Sequence, residues 1–476
     1  MKKVRLLPLA VAALLVVAVI GGLSITERPP TCSASSSNAA VMRRSDLQSI
    51  KFGAVRKYKL PGERAPNAIT FAPDGSVWFG EQALPGVGHL YPNGTLIEYK
   101  WPFQYKSPPL GFTFIWGIAV WDGCVWASDQ AGSQIVAVDP NTGAIRTIGV
   151  AEGSFPYTMT VGPDDSVWFT EVFASKLARI DDQFDLHEYT LPVLGTPGQI
   201  VFANDSLGYY VDTGNVGIAE PGIYSFDPNN FAPVLIDSST NQLIAPTSLA
   251  LANNGVWVAQ HASSELAYYR FGSHAVVRFP TTPVPYTKTT LPYFVAANGS
   301  LVWFNEHYGN RIAVMDTQRG LLTEYSVSDP AANKTSQIDN VLTFALGGSR
   351  VWFTELTANY VGYVDATYKP SFSFEPINST VDLSRGQSTR VTLTLQGQSE
   401  NNITVIPSDS ETLFGEPQSI SLNLTATKID GLHGSINLAV SISADDSIKP
   451  GQYELLFTAA AELENQGVYL SLTVLN

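Results

Sequence analysis

Two histidines, His261 and His307, stand in register in neighbouring copies of an internal repeat, each directly after a short apolar run. Glu306 precedes His307, and Glu355 holds the corresponding place in the next copy. A histidine pair beside carboxylates has the residue types of a transition-metal site or of a general base. The pair lacks the His-x-His or helix-borne spacing of strong metal motifs, and two histidines can share a register by coincidence. His261 and His307 are the candidate catalytic residues, and Glu306 and Glu355 the candidate metal ligands.

A second set of candidates lies where the chain enters the first apolar run of each copy. Its aromatic and amide members are Asn67, Trp116, Tyr157, Tyr293 and Asn340. Flat aromatic faces with amide hydrogen bonds suit a small-molecule, glycan or peptide ligand better than a charged substrate. The alternative is that the rings only cover a central core. These five are the predicted binding residues.

A third set ends the tryptophan-bearing run of each copy and is almost entirely acidic. It consists of Glu81, Asp129, Glu171, Asp212, Gln260, Glu306 and Glu355. Carboxylates that face one axis repel each other unless cations or hydrogen-bond donors satisfy them. The favoured interpretation is local: each side chain accepts hydrogen bonds within or beside its own repeat. A shared cation site is the alternative.

A repeat of 41 to 49 residues must position all three sets, marked by GSVWFGE, DGCVWASD, DSVWFTE, GYYVD, NGVWVAQ, SLVWFNE and SRVWFTE. Each copy carries four short strand-like pieces, and four strands in a repeat of this length indicate a propeller blade. The sequence therefore predicts an all-β fold with a seven-bladed β-propeller over residues 53–368. Residues 55–60, VRKYKL, resemble the fourth strand of the other copies and are expected to complete the last blade, which closes the ring.

The repeat stops before residue 369, and residues 369–476 contain no tryptophan but several alternating runs such as VTLTLQG and VYLSLTV. Such runs, separated by polar turns, predict a second domain, an immunoglobulin-like β-sandwich. A cell-envelope protein is a candidate partner for this domain.

The amino terminus predicts export. Lys2, Lys3 and Arg5 precede an uncharged apolar stretch from Leu6 to Ile25, roughly the twenty residues that cross a bilayer. Residues 1–27 are predicted to be a signal anchor, with a cleaved signal peptide as the alternative, and residues 28–52 a flexible tether. The expected location is the extracellular face of the cell membrane, attached through this segment, or outside the cell.

Composition agrees with an exported chain. Asn-x-Ser/Thr sequons, which would make it a glycoprotein, occur at Asn93, Asn204, Asn298, Asn333, Asn378, Asn402 and Asn423. The two cysteines, Cys32 and Cys124, either form one disulfide or stay unlinked. A formal net charge of -14 argues against nucleic acid as a partner.

The repeated unit, in forms such as VWFTEVFASKLARIDDQFDLHEYTLP, resembles the virginiamycin B lyase family of seven-bladed propellers over about residues 53–368. The resemblance implies an elimination that linearises streptogramin B depsipeptides, with Mg²⁺ and a histidine base. The family's Glu-Pro-His-Gly-Ile is matched here by IDNVL at 338–342, and its Pro-His-Ala-Ile by PYFV at 292–295. Asn340 and Tyr293 thus replace both histidines, and only Glu355 is left of the two metal glutamates.

The sequence therefore predicts a cell-surface binding or scaffold module with no resident cofactor. The alternative is a metal-dependent lyase or hydrolase of an ester or cyclic peptide, a carbon–oxygen lyase by resemblance, with a relocated site at His261, His307 and Glu306 and a divalent metal such as Mg²⁺. A third possibility is that the C-terminal domain joins an envelope lattice and the propeller is displayed on it.

Overall fold

The computed structural model describes residues 37–102, 115–215, 218–236, 243–284, 289–330, 339–377, 380–408 and 420–475. Several predictions fall outside these ranges: the anchor at 1–27, Cys32, Ile338, and the sequons at Asn333 and Asn378. All regular structure in the described ranges is β-strand, which confirms the all-β prediction. None of the described segments is a helix of the length and hydropathy needed to cross a bilayer.

Seven sheets of the described residues follow one another along the chain, and each contains the strands of one repeat; the sixth also takes in five strands of the C-terminal region. The amino-terminal strands are β1 (Ser37–Asn38), β2 (Ala40–Arg44), β3 (Ser49–Phe52) and β4 (Val55–Lys59). Sheets 1 to 3 contain β5 (Pro66–Phe71), β6 (Val77–Glu81), β7 (Gly86–Leu90) and β8 (Leu96–Lys100); β9 (Ile115–Trp121), β10 (Cys124–Asp129), β11 (Gln134–Val138) and β12 (Ala144–Gly149); and β13 (Pro156–Val161), β14 (Val167–Glu171), β15 (Lys176–Ile180) and β16 (Leu186–Thr190). Sheets 4 and 5 contain β17 (Pro197–Asn204), β18 (Leu207–Asp212), β19 (Gly222–Phe226) and β20 (Val234–Leu235); and β21 (Pro246–Ala252), β22 (Gly255–Gln260), β23 (Glu265–Arg270) and β24 (Ala275–Pro280). Sheets 6 and 7 contain β25 (Pro292–Asn298), β26 (Leu301–Glu306), β27 (Arg311–Asp316) and β28 (Leu321–Ser326); and β29 (Phe344–Gly347), β30 (Arg350–Glu355) and β31 (Tyr360–Asp365).

The core lies between neighbouring sheets. The repeated tryptophans sit in the second strand of every sheet except the fourth, where Tyr209 takes the position, and they are buried; Trp168, for example, is fully buried against Tyr210 and Phe226 of the next sheet. A short polar clip fixes the hairpin before this strand, because Asp164 accepts hydrogen bonds from the Trp168 indole and the Ser166 hydroxyl. The repeat thus encodes both the hairpin and the contact that stacks one sheet on the next.

The last sheet is completed from the other end of the chain. β4 pairs antiparallel with β31, in a register from Tyr360 opposite Lys59 to Val364 opposite Val55. Trp352 of the seventh sheet shares a buried cluster with Tyr58 and Ile69 of the first strands. The prediction that residues 55–60 supply the missing fourth strand is confirmed.

The segment expected to be a flexible tether is ordered in its described part. β1 pairs with β12, β2 with β8 and β3 with β4, so three short strands extend the outer edges of the second, first and seventh sheets. Unpaired outer strands offer free backbone donors and acceptors, and the tether satisfies them. Cys124 on β10 is disulfide-bonded, and the chain's other cysteine, Cys32, lies outside the described residues.

The C-terminal region forms two sheets around one core. Its strands are β32 (Phe372–Phe374), β33 (Val381–Ser384), β34 (Ser388–Ser399), β35 (Ile403–Ser408), β36 (Ile420–Leu424), β37 (Lys428–Ile429), β38 (Leu432–Ala444), β39 (Gly451–Ala460) and β40 (Glu464–Leu475). One sheet has the order β32-β34-β38-β36, and the other joins β33, β40, β39, β35 and β37. Leu395 and Leu438 of the first sheet share a buried cluster with Leu455 and Leu470 of the second.

The second of these sheets is continuous with the sixth repeat sheet. β40 pairs antiparallel with β28, with Leu321 opposite Val468 and Tyr325 opposite Glu464. The Asn465 amide also donates to Glu324 Oε2 at 2.6 Å. The C-terminal region is therefore joined to the repeats by a backbone ladder, a connection that the sequence pattern did not predict.

Candidate functional site

The predicted site residues lie at one edge of the repeat sheets. Innermost strands begin where second strands end, so that Pro292 lies opposite Glu306 and Pro246 opposite Gln260 in the strand register. The loops that follow the second strands therefore open beside the starts of the innermost strands. This edge is called the mouth below, and it carries Trp116, Tyr157, Tyr293 and the two histidines.

Three aromatic rings meet at the mouth. The Trp116 ring centroid is 5.3 Å from that of Tyr157 and 5.8 Å from that of Tyr293, and the two tyrosine hydroxyls are hydrogen-bonded to each other. These residues come from the second, third and sixth sheets, so their contact crosses the centre of the arrangement. All three side chains are half-buried, and each keeps part of its surface exposed. The rings form a mainly apolar floor with polar hydroxyl edges.

The two candidate histidines lie beside this floor. His261 Nε2 is 3.1 Å from His307 Nδ1, and His307 Nε2 is 2.7 Å from Asn340 Oδ1. The His261 ring also contacts Tyr293 edge to face, with centroids 4.9 Å apart. The structure thus brings the catalytic candidates together with Trp116, Tyr157, Tyr293 and Asn340 from the binding set.

The hydrogen bonds assign the protons of the pair. Because an amide oxygen can only accept, His307 donates from Nε2 to Asn340, and its Nδ1 must then accept from His261 Nε2. This leaves the lone pair of His261 Nδ1 unprotonated. Burial, followed by the charge of His307, lowers the pKa of His261 to about 4, and burial lowers the pKa of His307. Both imidazoles are neutral at neutral pH.

The backbone corrects the register assigned to Asn340. His307 N bonds to Leu291 O at 3.1 Å, and Leu356 N bonds to Asn340 O at 3.2 Å. Leu291 and Asn340 also share a left-handed backbone, with φ of 52° and 53°. Asn340 is therefore the counterpart of Leu291, and Leu342 is the counterpart of Tyr293. The pattern Glu-Pro-His of the family thus falls on 340–342, where this chain has no glutamate and no histidine.

The two metal candidates are held by cations of the chain. Glu355 is completely buried, and its two oxygens accept from Lys57 Nζ at 3.0 and 2.9 Å. Burial raises the pKa of Glu355, and the Lys57 ammonium opposes that shift. Glu306 is equally buried and pairs with Arg311 at 3.1 Å. Among the described residues, these carboxylates pair with cations, whereas His261 and His307 bond to each other and to Asn340.

The two aspartates of the third set also have local partners. Asp129 accepts from Gly132 N and from the Gln134 amide, and Asp212 accepts from Thr196 N and Gly214 N. These contacts favour the local interpretation of the acidic positions. Among the residues that the structure describes, no three His, Cys, Asp or Glu side chains converge as metal ligands would.

Asn67 stands at the start of β5, at the same edge, but its side chain is not among the ring and histidine contacts described above. Its side chain is fully buried, and its amide donates to Ile115 O at 3.5 Å. Sequence analysis also missed the cations Lys57 and Arg311, which decide what Glu355 and Glu306 can bind. A signal existed, because Lys57 stands in VRKYK where the fourth strands of other copies have glutamate, as in LIEYK and LHEYT.

Solved structures define the class of fold. Selenomethionine-substituted virginiamycin B lyase from Staphylococcus aureus superimposes with a TM-score of 0.54 at 20% identity, over 65% of this chain and 98% of that one. A catalytically inactive virginiamycin B lyase from the same organism, solved with quinupristin, superimposes with a TM-score of 0.54 at 19% identity, again over 65% of this chain and 98% of that one. At this identity the likeness concerns the fold alone, so the chain is a propeller-like all-β protein.

The family resemblance predicted from the repeats is confirmed. The model of the virginiamycin B lyase family matches residues 43–220. Virginiamycin B lyase from Nocardia farcinica (strain IFM 10152) is 27% identical over 129 residues, which are 27% of this chain and 42% of that relative. The match thus spans less than half of the relative, and the second half of the repeats carries the departures described above.

The Mg²⁺ that the resemblance implies does not fit the residues present. The Lys57 ammonium takes both oxygens of Glu355, and the second glutamate position is Asn340, whose oxygen accepts from His307. A cation bound there would lie against an ammonium in a fully buried place, which is electrostatically unfavourable. We derive no step through this metal.

Proposed function

We propose that this chain is a cell-surface binding module whose mouth holds an uncharged, ring-bearing peptide or depsipeptide without converting it. The observation that carries the proposal is the aromatic floor of Trp116, Tyr157 and Tyr293, flanked by neutral His261 and His307. Exposed parts of aromatic rings offer stacking surface, and the imidazole and hydroxyl edges offer hydrogen bonds to amides.

The charges around the mouth favour binding over catalysis. Glu355 and Glu306 are paired with Lys57 and Arg311, and these cations compete with any metal or substrate cation for the two carboxylates. A base with a pKa of about 4 is a poor proton acceptor at neutral pH. Streptogramin B antibiotics are a reasonable first probe, because a propeller of the same fold was solved with quinupristin.

The proposed architecture is a closed ring of seven blades with an immunoglobulin-like sandwich on its sixth blade. The pairing of β4 with β31 and the common core of the two C-terminal sheets support it. We propose residues 53–368 and 369–476 as the two domains. A disulfide at Cys124 supports export, because disulfides persist mainly in oxidising compartments. The anchor, the extracellular location, the glycans and an envelope partner for the sandwich remain proposals from the sequence.

A second candidate function is a lyase with a relocated base. The unprotonated lone pair of His261 Nδ1 favours it, because the two hydrogen bonds that link His261 to His307 and His307 to Asn340 would hold that atom toward the mouth. In this mechanism His261 Nδ1 would take a proton from the carbon next to the ester-bearing carbon, a C=C bond would form as the C–O bond breaks, and the ester would leave as a carboxylate. His307 and Asn340 would orient the His261 ring. The low pKa of His261 weighs against it.

The binding proposal is tested by titrating the full-length protein with quinupristin while following tryptophan fluorescence. We expect a saturable change that Trp116→Leu abolishes. The matched control is Trp121→Leu, because Trp121 ends the same strand β9 at the far edge of the sheet. Absence of a saturable change, or the same change in both variants, would contradict binding at the mouth.

A further inference from the structure

A large cleft lies at the edge of the repeat sheets opposite the mouth, where the C-terminal sheets meet them. Its volume is about 1160 Å³, above the roughly 300–1,000 Å³ typical of a site for one small molecule. The hairpin after β21 and the turn between β27 and β28 line one side, and Glu454, Tyr469 and Ser471 of β39 and β40 line the other. The cleft depends on the C-terminal region, so the resemblance to the lyase family does not account for it.

An aromatic wall forms one side of this cleft. Trp257 is 4.7 Å from Tyr268 and 5.0 Å from Phe279 between ring centroids, and Phe279 is 5.5 Å from Tyr469. Trp257 and Tyr469 are buried, whereas Tyr268 and Phe279 keep part of their surface exposed. The Tyr469 hydroxyl donates to Pro280 O at 2.8 Å, which fixes the wall across the junction. A rigid row of rings is suited to stack against flat, weakly polar faces.

Charged groups surround the aromatic wall. Arg270 and Arg319 both line the cleft and are exposed, and no carboxylate of the described residues pairs with either guanidinium. Two unpaired arginines in one cleft contrast with the formal net charge of -14 of the whole chain. A guanidinium presents a planar fork that matches a carboxylate.

The opposite side offers a buried acceptor. Glu454 is only 8% exposed, and it accepts from the Ser471 hydroxyl at 2.9 and 2.8 Å and from the Gln452 amide at 3.2 Å. A carboxylate has about four acceptor positions, so this group can take a further hydroxyl donor. The cleft thus combines stacking surface, carboxylate-binding forks and a hydroxyl acceptor.

We propose that this cleft binds an acidic oligosaccharide of uronic-acid type. The apolar faces of the sugar rings stack on Tyr268 and Phe279, their carboxylates pair with Arg270 and Arg319, and a hydroxyl donates to Glu454. The volume suits several sugar units rather than one. This site is separate from the mouth and independent of the function proposed for it.

Calorimetric titration of the full-length protein with trigalacturonate tests the proposal, with cellotriose as the neutral ligand and triglutamate as the acidic peptide. We expect binding of trigalacturonate alone, weakened at least about tenfold by Arg270→Ala and by Arg319→Ala, as for loss of a charged hydrogen bond. Arg270→Lys, which keeps the charge but loses the fork, should give an intermediate loss. Arg385→Ala, an exposed arginine in the turn between β33 and β34, is the matched control and should bind as the parent does.

Four results would overturn the proposal, three of them with the parent protein. Those three are no heat of binding with trigalacturonate, equal affinity for cellotriose, and affinity for triglutamate equal to that for the sugar. Unchanged affinity in both arginine variants would place the sugar elsewhere and also overturn it. Each substituted arginine is exposed, and the melting temperature of each variant shows whether it is folded. Loss of quinupristin binding at the mouth leaves this site untouched, so the two proposals can fail separately.

Discussion

His307 Nε2 lies 2.7 Å from Asn340 Oδ1, and this contact fixes the protonation of the neighbouring His261. With His307 donating to the amide, the pair is a chain of two neutral imidazoles under an aromatic floor. Adding a proton would place a charge between two half-buried rings, where partial burial disfavours it. The contribution of the pair to stability should therefore be lost when the pH falls and not when it rises.

Replacing His261 should alter how stability depends on pH. The pKa of His261 is lowered to about 4 from an ordinary value of 6.5, so between these values the unfolded chain binds more protons than the folded one. Its contribution is therefore complete above pH 6.5 and is lost as the pH falls toward 4. At full effect this amounts to at most about 3 kcal/mol. The free energy of unfolding in urea should fall less between pH 7 and pH 5 in His261→Gln than in the parent.

The quantity to compare is the difference in free energy of unfolding between the parent and His261→Gln, because buried carboxylates change stability with pH in the opposite direction in both proteins. Burial raises the pKa of Glu171 to about 7, so its contribution falls as the pH rises. His433→Gln is the matched control, since His433 is exposed on β38. If His261→Gln and His433→Gln gave parallel curves, His261 would not be the group that titrates.

Breaking the buried pair of Lys57 and Glu355 should destabilise the protein strongly. The pair joins the amino-terminal strand β4 to β30 of the seventh sheet, and Lys57 also donates to Val327 O at 2.8 Å. Lys57→Met leaves a buried carboxylate without a counterion, at a cost of about 3–5 kcal/mol. The double variant Lys57→Met/Glu355→Leu should recover much of the loss, because both charges are gone.

Urea denaturation measures both variants. The matched control is the surface pair of Lys176 and Glu188, which are 3.1 Å apart with 23% and 32% of their side chains exposed. Lys176→Met should cost less than about 1 kcal/mol. Equal effects of Lys57→Met and Lys176→Met would refute the view that the buried pair closes the ring.

The ladder between β28 and β40 should make the repeats and the C-terminal sheets unfold together. Gly467 lies in this ladder opposite Leu322, and a Cβ added there would lie 2.8 Å from Leu456 Cδ1. Gly467→Val should cost about 1–3 kcal/mol through overpacking. Differential scanning calorimetry should show one transition for the parent and two for this variant.

A substitution at Gly451 provides the control. A Cβ there meets only Tyr453, at an ordinary distance of 3.8 Å, so Gly451→Val should keep the single transition. Two transitions in the parent protein would show that the ladder does not couple the two parts.

The repeats were predictable because their signal is local. A hairpin clip such as Asp164 with Trp168, and a turn such as Asp316 with Gln318 N at 3.1 Å, depend on residues close in sequence. The closing strand was predictable for the same reason, since VRKYKL matches a repeat position. These features recur, and recurrence is visible in a single sequence.

Contacts between different repeats were less accessible. The charged pairs show why. In two sheets the cation comes from the same repeat as its partner: Lys176 and Arg311 begin third strands and pair with Glu188 and Glu324 of fourth strands. In the seventh sheet the third strand begins with Tyr360, and Lys57 of the fourth strand supplies the cation instead. The partner comes from the amino-terminal strand β4, so its role appears only once β4 is paired with β31.

The mouth cluster and the junction with the C-terminal sheets were harder still. Tyr157 and Tyr293 are far apart in sequence, and the register of Asn340 became visible only from the backbone bond of Leu356 N to its carbonyl. The sequence identified the aromatic and histidine candidates individually, but only the folded structure shows that they contact each other. The ladder of β28 with β40 has no repeat signal, because it occurs once.

The most direct test of the binding proposal is the fate of quinupristin after prolonged incubation with the full-length protein at pH 7.5, with and without Mg²⁺. Mass spectrometry of the ligand should recover only the intact cyclic compound in both conditions, while fluorescence shows that it binds. A linear product that depends on Mg²⁺ and is abolished by His261→Gln would contradict the proposal and establish a relocated lyase site.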